Sequence, residues 1–153
     1  MNSRSAIPSA LVAVAFLSSC SPSQSVDLAG RTVLRPGRAS TLPASTPLKM
    51  VGSINQVCLE ITPPDSLNWR SENWDWGVRR SDGILVRVGA SLLHADSSSD
   101  TISAVGYSMG GPNCLTIGPS MYDSLHPPFV AVRLTVTDSL SVAKIRWDSW
   151  TGE

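Results

Sequence analysis

The chain has 153 residues, and its 12 lysines and arginines balance its 12 aspartates and glutamates. This length allows one domain with a proper core, and scattered charges that sum to zero give no electrostatic case for a nucleic acid partner. Helix-forming residues are scarce, whereas Val, Ile, Thr, Trp, Ser, Gly and Pro are plentiful. The composition therefore favours an all-β fold with many turns.

The first 19 residues have the parts of an export signal. Arg4 gives a basic start, an apolar run extends from Ala6 to Leu17, and small residues follow. As a helix this run is about 18 Å long, which is too short for a hydrocarbon core of about 30 Å. We therefore predict that residues 1–19 form a cleaved helical signal peptide and not a membrane span.

The residues Leu17-Ser18-Ser19-Cys20 close this run and resemble the lipobox of bacterial lipoproteins. The resemblance implies that Cys20 becomes the first residue of the mature protein, diacylated on its sulfur and acylated on its amine. Two or more acyl chains anchor a protein stably, so the membrane is an expected partner through the lipid on Cys20. Ser21, in place of an aspartate, implies sorting to the outer membrane if the host has one. The expected localisation is the bacterial cell envelope.

The next stretch, from Ser21 to Pro47, is rich in Ser, Pro, Thr and Ala. Such a composition buries too little apolar surface to order itself, so residues 20–47 are predicted to be a flexible tether between lipid and domain. A strand near Thr32 to Arg35 that joins the domain is the alternative. On this interpretation the folded domain comprises residues 48–153 and begins at Leu48.

Two β-rich runs around Ser81-Asp82-Gly83 predict a hairpin between Asn73 and Ser91. A three-residue loop keeps the apolar side chains on one face and puts Gly83 at the left-handed position that such loops require. A two-residue loop would mix the faces, because a slip of one residue moves every side chain to the other side. The favoured register pairs Trp74 with Ala90, Trp76 with Val88 and Val78 with Val86.

Near the C-terminus, two alternating apolar runs predict a second hairpin around Thr137 to Leu140. This pairing sets Val132 opposite Ile145 and Val130 opposite Trp147. Further strands are expected at 51–61, 101–109 and 114–117. Six to seven short strands separated by turns predict a small antiparallel β-sandwich, with a small β-barrel as the alternative. No sustained helical period occurs after the signal, so we expect no substantial helix there.

Cys58 and Cys114 remain once Cys20 is assigned to the lipid. An exported domain folds in an oxidising setting, which favours a disulfide between them over two buried free thiols. Two cysteines without nearby histidines are a poor metal ligand set. We therefore predict no metal site and no cofactor.

The pentapeptide Gly106-Tyr107-Ser108-Met109-Gly110 is similar to the nucleophile elbow of α/β-hydrolases. The resemblance implies a serine nucleophile at Ser108, with Asp123 and His126 completing the triad. The elbow needs a helix after its serine, yet Pro112 follows within four residues. The fifteen residues between Ser108 and Asp123 are also too few for one strand–helix crossover. Ser108, Asp123 and His126 are therefore interpreted as decoys, and the hydrolase remains a remote alternative.

Five tryptophans are the other notable feature of the sequence. The predicted registers place Trp74, Trp76 and Trp147 on inward faces, where large aromatic residues serve as core. Trp69 and Trp150 remain as exposed residues that could stack on sugar rings or cover an end of the sandwich. The two aspartates of Asp96-Ser97-Ser98-Ser99-Asp100 fit an exposed turn better than a cation site.

The sequence thus predicts a membrane-tethered, non-enzymatic β-domain that binds an envelope protein or has an accessory role. The alternative is an envelope glycan-binding module that uses Trp69 and Trp150. No nucleic acid partner is expected.

Overall fold

A computed structural model describes residues 23–61, 77–80, 82–102, 114–117 and 119–151. Ten strands are present in these ranges: β1 Ser23–Ala29, β2 Thr32–Leu34, β3 Ser40–Leu48, β4 Ile54–Ile61, β5 Gly77–Arg79, β6 Leu85–Leu93, β7 Ser99–Ile102, β8 Cys114–Thr116, β9 Phe129–Val136 and β10 Leu140–Trp150. The helical content of the described residues is one short 3-10 helix, Pro119–Ser124.

The first sheet is built around β10, its longest strand. Its order is β1-β10-β4-β8, and all of its pairings are antiparallel. β2 pairs with the start of β10, whereas β1 pairs with its later part, so both lie along the same side of β10. Ser23 is opposite Trp150, and Val33 is opposite Ser141. The segment from β1 to β2 therefore forms one long edge of this sheet.

The second sheet has the order β3-β9-β6-β5, and β7 also pairs with β6. Its strands are antiparallel as well. Buried side chains alternate with outward ones along β6, as expected of a sheet with one face against a core. Between the two sheets lie Trp147 and Phe129, the largest fully buried side chains.

The predicted all-β class and two-layer sandwich are confirmed. In the described part of the chain the two sheets are hydrogen-bonded separately, so the β-barrel alternative is wrong. The strand count exceeds the predicted six to seven because residues before 48 contribute three strands.

The β5–β6 hairpin has the predicted register. Val78 pairs with Val86, and the Arg80 N–H donates to the Ile84 carbonyl oxygen at 2.9 Å, which leaves a three-residue loop. Gly83 has a φ of 84°, the left-handed conformation that the loop requires. The predicted pairings of Trp74 and Trp76 lie outside the described residues.

The predicted β9–β10 hairpin is wrong. β9 pairs with β3 and β6 in the second sheet, whereas β10 pairs with β1, β2 and β4 in the first. The link between them crosses from one sheet to the other. In both strands every second side chain is buried. This pattern fits two strands that face each other across the core as well as two neighbours in one sheet. Val130 is 38% exposed, so it does not belong to the predicted inward face.

The prediction of a flexible tether over 20–47 is wrong for residues 23–47, and the fold does not begin at Leu48. β1, β2 and β3 pair with β10 and β9, and the alternative of a strand near Thr32 to Arg35 is confirmed as β2. Val26, Leu34 and Leu42 are buried among polar neighbours that face outward. Alternation of apolar and polar residues is the signature of a half-buried strand. It is hard to detect here because the segment as a whole is polar in composition.

A small polar network is buried where the first sheet ends. Ser149 and Asn55 are both 0% exposed. The Ser149 hydroxyl donates to Oδ1 of Asn55 at 2.6 Å and accepts the Val51 N–H at 2.8 Å. Nδ2 of Asn55 donates to the Gly52 carbonyl oxygen at 2.9 Å. The network therefore holds the link between β3 and β4 against the end of β10.

We expect Ser149→Ala to lower the free energy of unfolding by about 1–3 kcal/mol, because it leaves the Val51 N–H and Oδ1 of Asn55 without these hydrogen bonds in a buried place. Urea unfolding followed by circular dichroism measures this loss. Ser141→Ala is the matched control, since Ser141 is exposed on the same strand and should change stability by less than about 0.5 kcal/mol. Equal losses in the two variants would contradict the role of the network.

Candidate functional site

The chain concentrates unopposed positive charge in one segment. No aspartate or glutamate occurs between Asp27 and Glu60, although Arg31, Arg35, Arg38 and Lys49 lie there. Because the whole chain is neutral, this segment is a local departure from the average. It contains β2, β3 and the turn between them.

That turn brings two arginines together. Arg35-Pro36-Gly37-Arg38 links β2 to β3, and Gly37 has a φ of 71°. Proline at the second position and a glycine with positive φ at the third are typical of a type II turn. In such a turn the first and fourth Cα atoms are less than about 7 Å apart. Local chain geometry therefore places Arg35 and Arg38 side by side.

A cleft of about 320 Å³ lies beside this turn and is called here the arginine cleft. Its walls are Val33, Arg35, Arg38, Ala39, Ser40 and Thr41. Both arginines are exposed, and neither has an ion pair or side-chain hydrogen bond within the described ranges. The cleft is thus lined by two arginines with their full donor capacity, next to the outward-facing Thr41.

Arg80, Lys144 and Arg146 have acidic neighbours within the described ranges. Arg80 contacts Asp82 and lies 3.1 Å from Asp138, and Lys144 lies 2.9 Å from Asp27. The hydrogen bond from Arg80 holds the pKa of the Asp82 carboxyl below its usual range. These exposed pairs contribute little to stability. None of the ion pairs among the described residues involves Arg35 or Arg38, so these two charges are open to a ligand.

The outer face of the second sheet extends the polar surface. Thr41 is paired with Arg133 of β9, and Arg133 is paired with Ser91 of β6. Directly opposed side chains lie on the same side of a sheet, with Cβ atoms about 4.5–5.5 Å apart. Arg133 is half-buried and has no acidic partner among the described residues. A third guanidinium group therefore lies next to the cleft.

The arginine cleft lies far from the first described residue. Val33 is opposite Ser141, and Ser23 is opposite Trp150 on the same strand. Nine steps of about 3.3 Å along β10 separate those partners by about 30 Å. Ser23 and the cleft are therefore at opposite ends of the sandwich.

The predicted disulfide is present. Cys58 of β4 is bonded to Cys114 of β8, directly opposite it, with the Cα atoms 3.9 Å apart. Both cysteines are buried. The bond fixes β8, a strand of three residues, to the edge of the first sheet.

Of the two predicted sugar-stacking residues, the structure describes Trp150 and not Trp69. Trp150 is half-buried at the end of β10. Gly52 lies so close to the Trp150 backbone that a Cβ atom on residue 52 would overlap that backbone. Trp69 lies outside the described residues. Trp147, predicted as core, is 0% exposed.

The remote hydrolase alternative gains no geometric support. Asp123 and His126 are both exposed, and no hydrogen bond joins them. Ser108 lies outside the described residues, as does Cys20.

The two aspartates of the 96–100 segment lie at a turn, and each has its own hydrogen-bond partner. Oδ1 of Asp96 accepts hydrogen bonds from the Ser98 hydroxyl at 2.6 Å and the Ser98 N–H at 2.9 Å, and these lower the pKa of the Asp96 carboxyl. Asp100 lies 2.9 Å from Nε2 of His94, whose ring contacts Phe129. Within the described chain, no three His, Cys, Asp or Glu side chains are placed to hold a metal ion.

Comparison of the chain with known protein families, with curated proteins and with solved structures finds no match. The part of the chain that the structure describes contains no helix with the length and hydropathy of a membrane span.

Sequence reasoning missed the arginine cleft. The signal that identifies it is the Pro36-Gly37 dipeptide between two arginines, which predicts a tight turn with both guanidinium groups at its ends. The composition of residues 20–47 predicts a tether, and a tether gives the turn no strands to connect.

Proposed function

We propose that this chain is a bacterial cell-envelope lipoprotein whose β-sandwich, held at the membrane by lipid on Cys20, acts as a non-enzymatic binding or accessory module. The outer membrane is the proposed location if the host has one. The proposed partner is an envelope protein or glycan.

The observation that supports this proposal best is the place of Cys20 in the sequence, three residues before the first strand. Ser23, the first residue of β1, is exposed at one end of the sandwich. Three residues of extended chain span at most about 11 Å, so an acylated Cys20 would hold that end close to the bilayer surface. The lipobox-like residues thus lie only a few positions before Ser23, which is exposed.

A glycan-binding form of this module is the second candidate. The polar arginine cleft favours it, because hydroxyl and guanidinium groups suit a hydroxylated ligand better than an apolar one. The cleft lies at the end of the sandwich opposite the anchored one. A polymer of the envelope would be accessible there.

We expect Cys20→Ser to move the protein from the membrane fraction to the soluble fraction and to abolish incorporation of a palmitate analogue. Without acyl chains no buried methylene groups remain to hold the chain at the bilayer. Fractionation and in-gel detection of the analogue in the producing bacterium measure both effects.

Ser19→Ala is the matched control for this substitution. It keeps a small residue before Cys20 and should behave like the wild type. Palmitate incorporation that persists in Cys20→Ser, or none in the wild type, would contradict the lipoprotein proposal.

A further inference from the structure

We propose that the arginine cleft binds a saccharide that carries a carboxylate or a phosphate group. This inference deepens the proposed function and rests on it for the source of the ligand. The binding chemistry itself depends only on the cleft.

The donors of the cleft match an oxyanion. A guanidinium group is a planar fork that binds carboxylate or phosphate through two parallel hydrogen bonds. Arg35 and Arg38 flank one turn, and both line the same cleft of about 320 Å³. Arg133, beside Thr41, adds a third positive charge at the rim.

The remaining walls of the cleft suit sugar hydroxyl groups. Thr41, on the outer face beside Arg133, has a hydroxyl that both donates and accepts hydrogen bonds. Val33, which is 46% exposed, offers an apolar patch for one side of a ring. The volume of about 320 Å³ is at the lower end of the range of small-molecule sites.

These walls are less suited to a protein partner. Protein interfaces rely on buried aromatic or apolar anchors, and Val33 is the largest apolar side chain of the cleft. Addition of a partner strand along β3 is hindered because Pro43 and Pro47 lack N–H groups on this edge strand.

The headgroups of the anchoring membrane are also a poor fit. On the proposed function the Ser23 end faces the bilayer, and the cleft lies about 30 Å further along β10. That distance exceeds a Debye length of about 8 Å, so the membrane charge is screened there. An anionic saccharide outside the bilayer is the ligand that reaches the cleft.

The test is a calorimetric titration of the full chain in a non-ionic detergent. The probes are trigalacturonate for the carboxylate form, glucose 6-phosphate for the phosphate form, and neutral maltotriose. We expect at least one anionic probe to bind, no binding of maltotriose, and at least a tenfold weaker affinity for Arg35→Gln/Arg38→Gln.

The matched control is Arg31→Gln/Lys49→Gln, which removes the same charge from exposed residues that do not line the cleft. It should weaken binding less than twofold. Equal weakening in both double variants would overturn the proposal, since it would reveal general charge attraction.

Two further arms identify the source of the oxyanion. Mixed micelles of the detergent with phosphatidylglycerol test a headgroup, and a hexaglutamate peptide tests an acidic protein segment. Binding of either one without an anionic saccharide, or binding of no probe, would overturn the proposal. Because the titration does not depend on acylation, it separates failure of the cleft from failure of the Cys20 anchor.

Discussion

Replacing Trp147 with alanine is expected to lower the free energy of unfolding by about 3–5 kcal/mol, which is typical of deleting a buried aromatic side chain. Trp147 is 0% exposed and lies in the middle of the first sheet, between Val26 of β1 and Val57 of β4. Its Nε1 also donates to the Lys49 carbonyl oxygen at 3.3 Å. The substitution therefore opens a cavity and removes a link between core and loop.

Urea unfolding followed by far-UV circular dichroism measures this effect without depending on tryptophan fluorescence. Trp150→Ala is the matched control, because Trp150 is on the same strand but half-buried, and its loss should be clearly smaller. Trp147→Phe keeps most of the volume and tests the core if the alanine variant does not fold. Equal stability of the two alanine variants would contradict the assigned core.

Removing the Cys58–Cys114 disulfide is expected to cost about 4 kcal/mol on the chain-entropy account. The bond joins residues 56 positions apart, so its loss gives the unfolded chain much additional freedom. The folded state also loses the covalent link that fixes β8, whose pairing with β4 involves only Gln56, Val57 and Cys58 among described residues.

The variant Cys58→Ala/Cys114→Ala is compared with the wild type in urea, with and without a reducing agent. The reductant should destabilise the wild type and leave the double variant unchanged. A wild type that is indifferent to reduction, or a double variant within about 1 kcal/mol of it, would contradict a stabilising role for the bond.

Local signals in the sequence predicted the parts of the fold that depend on neighbouring residues. The Val78–Val86 register followed from loop length and from the left-handed position of Gly83. The disulfide followed from cysteine count and the expected redox setting. The partners of β9 and β10 did not follow, because facing strands across a core and adjacent strands in a sheet share one alternating pattern.

The candidate site was missed for a related reason. The segment containing Arg35 and Arg38 has a polar composition, and only its pairing with distant strands orders it. Long-range pairing of this kind leaves no local signal beyond a brief alternation around Val26 and Leu42. The sequence alone predicts the turn between the arginines. The position of Thr41 beside that turn can be assigned only from the fold.

The intact mass of the protein extracted from bacterial membranes tests the central claim most directly. The account predicts a chain that begins at Cys20 and carries two acyl chains through the cysteine sulfur and one on its amine. A membrane-derived chain that retains residues 1–19, or that begins at Cys20 without acyl groups, would contradict it.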